Sequence, residues 1–281
     1  MVRLSDEFKK AAPDSADSRG RSARDADTLV PTRGRGEELL LPPGNPALHL
    51  SGWRQFMAIL RKDIVMELRT KEMVTSMGLY GLLVLVIYYV ALSQAGAEFQ
   101  VRPIAAGLLF LAVVFTSLLG LNRSLVHEKD QGCLEALLLA PVDRTVIYFG
   151  KAIGNLIFLL IVEMFLVPLF YMIFLTGDAS LGGPWWMLVL SLVVGSVGIA
   201  GVGTLLATIS VNTKGKDFIL AVLFIPVMFP LLLTVVAAGT QAMIADPGYV
   251  ETFWRMLSAG MVYDVIMIGV AYVLYDFILG A

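Results

Sequence analysis

After about residue 72 the chain runs as six apolar segments, roughly Met73–Ser93, Ile104–Val126, Val146–Leu175, Trp185–Ser210, Phe218–Gln241 and Leu257–Leu279. Each reaches the ~20 residues that a helix needs to cross a hydrocarbon core of ~30 Å. Hydrophobic residues make up 57% of the chain and charged residues 16%, a balance that no soluble domain of 281 residues needs. The fold class read from this is all-α, a polytopic membrane protein with six transmembrane helices.

Lysines and arginines give the orientation, because positively charged loops tend to stay cytoplasmic. Arg54, Arg61, Lys62, Arg69 and Lys71 precede the first span; Arg123, Lys129, Arg144 and Lys151 lie between spans two and three; Lys214 and Lys216 lie between four and five. The other side holds only Arg102 and Arg255, so eleven charges stand against two. With an even number of spans both termini are expected in the cytoplasm.

Two domains are expected. Residues 1–50 form a polar tail with eight basic and eight acidic side chains, too poor in apolar surface to fold alone. It lacks the apolar stretch of a secretory signal, and its acids count against a transit peptide. Residues 51–281 form the six-span domain, which opens with an amphipathic lead-in over 51–72. There Trp53, Phe56, Met57, Leu60, Ile64 and Leu68 recur at helical spacing, with charges on the other faces. Such a helix suits the cytoplasmic membrane surface, with basic side chains toward anionic lipid. It reads either as an ordinary interfacial lead-in or as an elbow on which the first span pivots.

Between spans two and three stands His127 to Arg144, HEKDQGCLEALLLAPVDR, polar and then apolar. Glu128 and Asp130 precede Gly132, after which Leu134, Leu137 and Leu138 share one side of a short helix that Pro141 stops. Acidic residues are favoured near a helix start, so a helix beginning near Gly132 is well posed. Its leucine face lies either against the protein's own spans and the bilayer, or in a groove on a cytosolic subunit. In the second case Glu128, Glu135 and Arg144 supply polar contacts around the apolar plug. Lys214 and Lys216, at the entrance to span five, are a second candidate contact.

Glu163, in LLIVEMFLVP, is read as the one acid deep in a span, five residues before Pro168. An ionisable group at that depth is expensive and normally faces a partner, a cavity or water. Ser191, Gly195, Gly198, Gly201 and Gly203 suit close helix packing in span four. Pro226 and Pro230 suggest a bend in span five, and Trp185, Trp186 and Trp254 suit the external boundary. Asp264 and Asp276 are read as lying near the two ends of span six, where a solvated or snorkelling carboxylate is adequate.

Several classes are disfavoured. The net charge of −2 offers no basic surface for nucleic acid. A single cysteine, Cys133, forms neither an intrachain disulfide framework nor a cysteine-based metal cluster, and no metal site is expected. No His/Asp/Glu cluster or Ser-His pairing recurs across the spans, so no catalytic residue is assigned and the chain is not read as an enzyme. His49 and His127 are the only histidines and no C-x-x-C-H motif occurs, so no cofactor is assigned to this chain. There is no G-x-x-x-x-G-K-[ST], so nucleotide would be held elsewhere.

The run from Ala105 through Lys151, above all E-K-D-Q-G-C-L-E-A-L-L-L-A-P, resembles the permease subunits of ABC-2 type (type V exporter-like) transporters. Within them it is most similar to the haem exporter protein B (CcmB) family of cytochrome c maturation. The family's acidic-Gly-x-Leu-Glu-x-Leu-x-Leu-x-Pro signature falls here on Asp130, Gly132, Leu134, Glu135, Leu137, Leu139 and Pro141. The resemblance covers about residues 52–281 and also includes the rhythm of six spans and the short basic loop Asn212–Asp217. The 50-residue tail departs from the compact start expected of the family.

The resemblance implies a bacterial inner-membrane permease with a separate ATPase subunit (CcmA-like) that holds ATP. It further implies a haem-handling subunit (CcmC-like), a small subunit (CcmD-like) and a homodimer, with haem in the complex. Its cytoplasmic helices would pass ATP-driven closure to the spans, and ATP hydrolysis would release a haem-loaded chaperone. The alternatives are an ABC-2 permease that exports a drug, lipid or glycan, and a membrane scaffold without transport.

Overall fold

The computed structural model of the chain describes residues 52–94, 100–130, 144–175, 181–211 and 216–280. These form seven helices: α1 (Gly52–Thr70), α2 (Glu72–Ser93), α3 (Arg102–Asp130), α4 (Arg144–Phe174), α5 (Trp185–Val211), α6 (Lys216–Ile244) and α7 (Tyr249–Gly280). The last six are long and apolar enough to cross a membrane. Hydrocarbon offers backbone groups no partners, so these segments close their hydrogen bonds internally as helices. The chain is a multi-pass all-α membrane protein.

The helices pack around α5, which touches α3, α4, α6 and α7. It can do so because its surface is small. Ser191 and Ser196 are fully buried, Gly195 lies under the Phe110 ring of α3, and Gly203 lies under Leu121 of α3. Close approach of small residues is what drives helix association where lipid is as apolar as leucine. By contrast α2, α6 and α7 expose broad apolar faces, including Leu83 and Val86, Ile225 and Phe229, and Val265 and Ile266.

Consecutive spans alternate in direction, so α1, the start of α4 and the end of α7 share one end of the bundle. Tyr148 near the start of α4 packs on Tyr275 near the end of α7, ring centroids 5.2 Å apart. This end carries most of the lysines and arginines and is called the basic end below. At the opposite end Trp186 meets Trp254 at 6.3 Å and Phe253 at 6.0 Å, with Trp185 exposed beside them. That aromatic cluster fits the interfacial place expected for the tryptophans.

Two expectations need correction. The sixth span starts eight residues earlier than the expected Leu257, because α7 begins at Tyr249 after a tight turn with Ala245 (φ 54°) and Gly248 (φ 81°). The preceding α6 is closed off by the segment before α5, whose Gly182 and Gly183 N–H groups donate to the Met243 and Ala242 carbonyls at 2.9 and 3.0 Å. A Cβ at Gly182 would stand 2.6 Å from the Ile244 carbonyl oxygen, so only glycine allows this approach. The charges Glu251 and Arg255 hid that early start in the sequence. The second correction is Asp264, which lies in the middle of α7 and is only 5% exposed.

The lead-in helix is present, but its apolar face is divided. Ile59 is buried and Phe56, Leu60 and Ile64 are partly covered, whereas Trp53, Met57 and Leu68 are exposed. α1 packs mainly on α4, and only lightly on α2, which follows it directly. Pro226 and Pro230 both sit inside the continuous helix α6, and Pro168 sits inside α4.

Candidate functional site

The cytoplasmic site expected over 127–144 lies largely outside the described residues. Glu128 and Asp130 fall in the last turns of α3, Arg144 opens α4 and Lys216 opens α6. Gly132, Leu134, Glu135, Leu137, Leu138, Pro141 and Lys214 are outside the described residues, as is the 1–50 tail.

What the structure does define begins just after that stretch, on α4. Four polar side chains, Tyr148, Lys151, Asn155 and Glu163, are buried along this helix. Each reaches a different neighbour. The Tyr148 hydroxyl donates to the Gly201 carbonyl of α5 at 3.1 Å. Lys151 Nζ pairs with Asp63 Oδ2 of α1 at 2.7 Å. Asn155 Nδ2 donates to Thr204 Oγ1 of α5 at 2.9 Å, and that hydroxyl donates in turn to the Ala200 carbonyl at 2.6 Å. The Ser196 hydroxyl of α5 donates to Glu163 Oε1 at 2.5 Å.

The pairs 155–204 and 163–196 descend α5 as they climb α4, the register of an antiparallel helix pair. At 1.5 Å per residue, Lys151 and Glu163 stand about 18 Å apart along the axis. α4 therefore carries a polar seam from the basic end to the middle of the membrane. Interhelical hydrogen bonds of this kind contribute on the order of 0.6 kcal/mol each, up to about 1.7. They are weak enough to exchange and directional enough to fix a register.

Beside the seam, Met73, Met77, Ser117, Gly120, Leu121, Asn155, Leu159, Ile199 and Ala200 line a small recess, with room for about one water molecule. On the far flank of α5, Asp264 packs against Gly198, which Leu231 also covers. Its Oδ1 has no hydrogen-bond partner among the described residues. Ser196 and Gly198 are two residues apart, so the two intramembrane carboxyls flank α5 at nearly one depth. Glu163 is therefore not the one deep acid, as the sequence suggested.

A model of the CcmB protein family matches residues 54–273, which takes in most of α1 and α7 and all that lies between. The chain belongs to the CcmB family. Two relatives carry the name heme exporter protein B. The one from Haemophilus influenzae is 20% identical over 178 residues, covering 63% of this chain and 78% of the relative. The one from Rhodobacter capsulatus is 29% identical over 131 residues, covering 46% of this chain and 58% of the relative. The family match begins at Arg54, within α1, so the lead-in helix is part of the shared domain.

Sequence reasoning found Glu163 but missed Asp63, Asn155 and Asp264, and it treated Lys151 as a loop charge. A signal for the first pair was available. Lys151 lies between Gly150 and Gly154, while Asp63 lies next to Ile64 and four residues beyond Ile59. Lys151 thus sits on a small face, and Asp63 on a face that Ile59 makes apolar on one side and Glu67 polar on the other, which marks each charge for burial without naming its partner. Arg123, also counted as a loop base, is held by Glu72 and Ser76 of α2.

Proposed function

We propose that this CcmB-family chain is the membrane permease subunit of an ABC transporter complex for haem export or haem delivery in c-type cytochrome biogenesis. What supports the reading most is the family match over 54–273, together with relatives named as heme exporters. The permease is not itself the enzyme. A separate CcmA-like ATPase binds ATP and meets the 127–144 stretch, with Lys214 and Lys216 as a second contact, at the cytoplasmic face of a bacterial inner membrane. A homodimer supplies the twelve spans usual for an ABC membrane unit, and CcmC-like and CcmD-like subunits handle haem.

The polar seam suits that task. Movement of the 127–144 stretch enters the bundle at the start of α4, along which Lys151 is bonded to α1, and Asn155 and Glu163 to two levels of α5. A shift of α4 against α5 by one helical turn, about 5.4 Å, would part Asn155 from Thr204 and Glu163 from Ser196 together. Release of a haem-loaded chaperone would follow from that shift in the dimer.

The test is mass-spectrometric identification of what co-purifies with the chain from native membranes in mild detergent. A P-loop ATPase and a tryptophan-rich haem-handling protein are the expected companions. An ATPase alone would favour export of a different substrate; no ATPase would remove the coupling role. In a second arm, Glu128→Lys with Glu135→Lys should leave membrane insertion intact and lose the ATPase.

A further inference from the structure

α1 and α2 are consecutive in sequence, yet α1 is fastened to α4. Gly150 and Gly154, four residues apart on α4, open a shallow groove under α1. A Cβ at Gly150 would lie 3.4 Å from Ile59 Cβ, and one at Gly154 would lie 3.8 Å from Asp63 Oδ2 and 3.9 Å from Leu60 Cδ1. Between the glycines rises Lys151, 3% exposed, whose Nζ is 2.7 Å from Asp63 Oδ2. Lys62 reaches the other Asp63 oxygen at 3.2 Å. A desolvated ion pair beside a close backbone approach allows one register: sliding α1 by a turn would part the charges and press side chains onto the neighbouring helix.

The joint to α2 is of another kind. Lys71 has φ 56°, in the left-handed region, and its N–H donates to the Glu67 carbonyl at 2.6 Å. α4, for its part, begins at Arg144, where the 127–144 stretch ends.

We propose that α1 moves with α4 as one body, the Asp63–Lys151 pair being the positioning contact that carries motion of α4 into α1, while the chain bends at Lys71. This rests on the coupling role proposed above. It makes α1 a lever driven by span three and not an anchor for span one. When α4 is displaced, α1 follows and turns its exposed Trp53, Met57 and Leu68 against the membrane surface.

The test uses the whole complex in lipid nanodiscs; because Cys133 lies in the 127–144 stretch, the Cys133→Ser complex is first shown to hold the ATPase and turn over ATP, and it is then the reference for every variant. In I59C/G150C the two Cβ atoms stand 3.4 Å apart, at the short edge of the disulfide range, and thiol blocking followed by intact mass counts how many chains are bridged. Full bridging is expected, with ATP turnover within about twofold of the reduced form. Asp63→Asn should lower turnover by at least about fivefold at unchanged levels of permease and bound ATPase, and bridging I59C/G150C in the Asp63→Asn chain should restore it.

A bridge that fails to form, a bridge that stops turnover until reductant is added, or a fully active Asp63→Asn chain would each overturn the proposal. If Asp63→Asn does not accumulate, I59C/G150C with its native charges decides alone. A wild-type chain that carries no ATPase would fail the coupling role first, and this proposal with it. That result would be seen before any substitution is made.

Discussion

Glu163 and Asp264 press on the same stretch of α5 from opposite flanks, and they differ in how they are received. Glu163 accepts a hydrogen bond from Ser196, whereas Asp264 Oδ1 lies buried without a partner among the described residues. Replacing Glu163 by glutamine keeps an acceptor of nearly the same shape for the Ser196 hydroxyl. Glu163→Gln should therefore change thermal stability in detergent by less than about 1 kcal/mol and leave the amount in the membrane unchanged. Cytochrome c yield should nevertheless fall by about tenfold, because the carboxyl is held at a depth where ionisable groups serve function. Normal yield in that variant would make Glu163 a structural carboxyl only. The sequence could single out Glu163 because apolar residues surround it for two turns on either side. Asp264 was not legible in the same way: its depth depends on where α7 starts, and Glu251 and Arg255 delayed the apparent start.

The elements themselves were largely legible, since a segment of twenty apolar residues has few alternatives in lipid. The small residues of α5 likewise announced a packing surface. Which helices would meet was not legible. Lys151 looks like a loop base until Asp63 is brought to it from 88 positions away, and no periodicity in either segment encodes that pairing. The corner between α1 and α2 was hidden for a similar reason. Glu67 reads as one more charge on an amphipathic helix, but its Oε1 accepts the Val74 N–H at 2.8 Å and so serves a backbone donor in the first turn of α2. Loss of such a cap typically costs about 1 kcal/mol. Glu67→Ala should lower stability by that amount and speed hydrogen exchange at the first turn of α2 before it affects the rest of the bundle. Uniform loss of protection across α1 and α2 together would mean that the corner is not a joint.

Charge asymmetry sets the whole molecule in its membrane, and the structure alters how that asymmetry is counted. Of the eleven charges at the basic end, Lys62 and Lys151 are paired with Asp63 and Arg123 with Glu72. Removing these three leaves eight against Arg102 and Arg255, so the same orientation is expected. With Cys133→Ser as background, Thr70→Cys reports the basic end and Asp246→Cys the opposite turn; both positions are exposed. A membrane-impermeant maleimide added to right-side-out spheroplasts should label Asp246→Cys at once and Thr70→Cys only after permeabilisation. Labelling of both from outside would contradict an odd number of crossings between them. Labelling of Thr70→Cys alone would invert the protein. Because the end of α3 and the start of α4 share the end of the bundle that carries Thr70, inversion would put the 127–144 stretch on the side without ATP. No ATPase could then reach α4, and the seam from Lys151 to Glu163 would have to be driven from elsewhere.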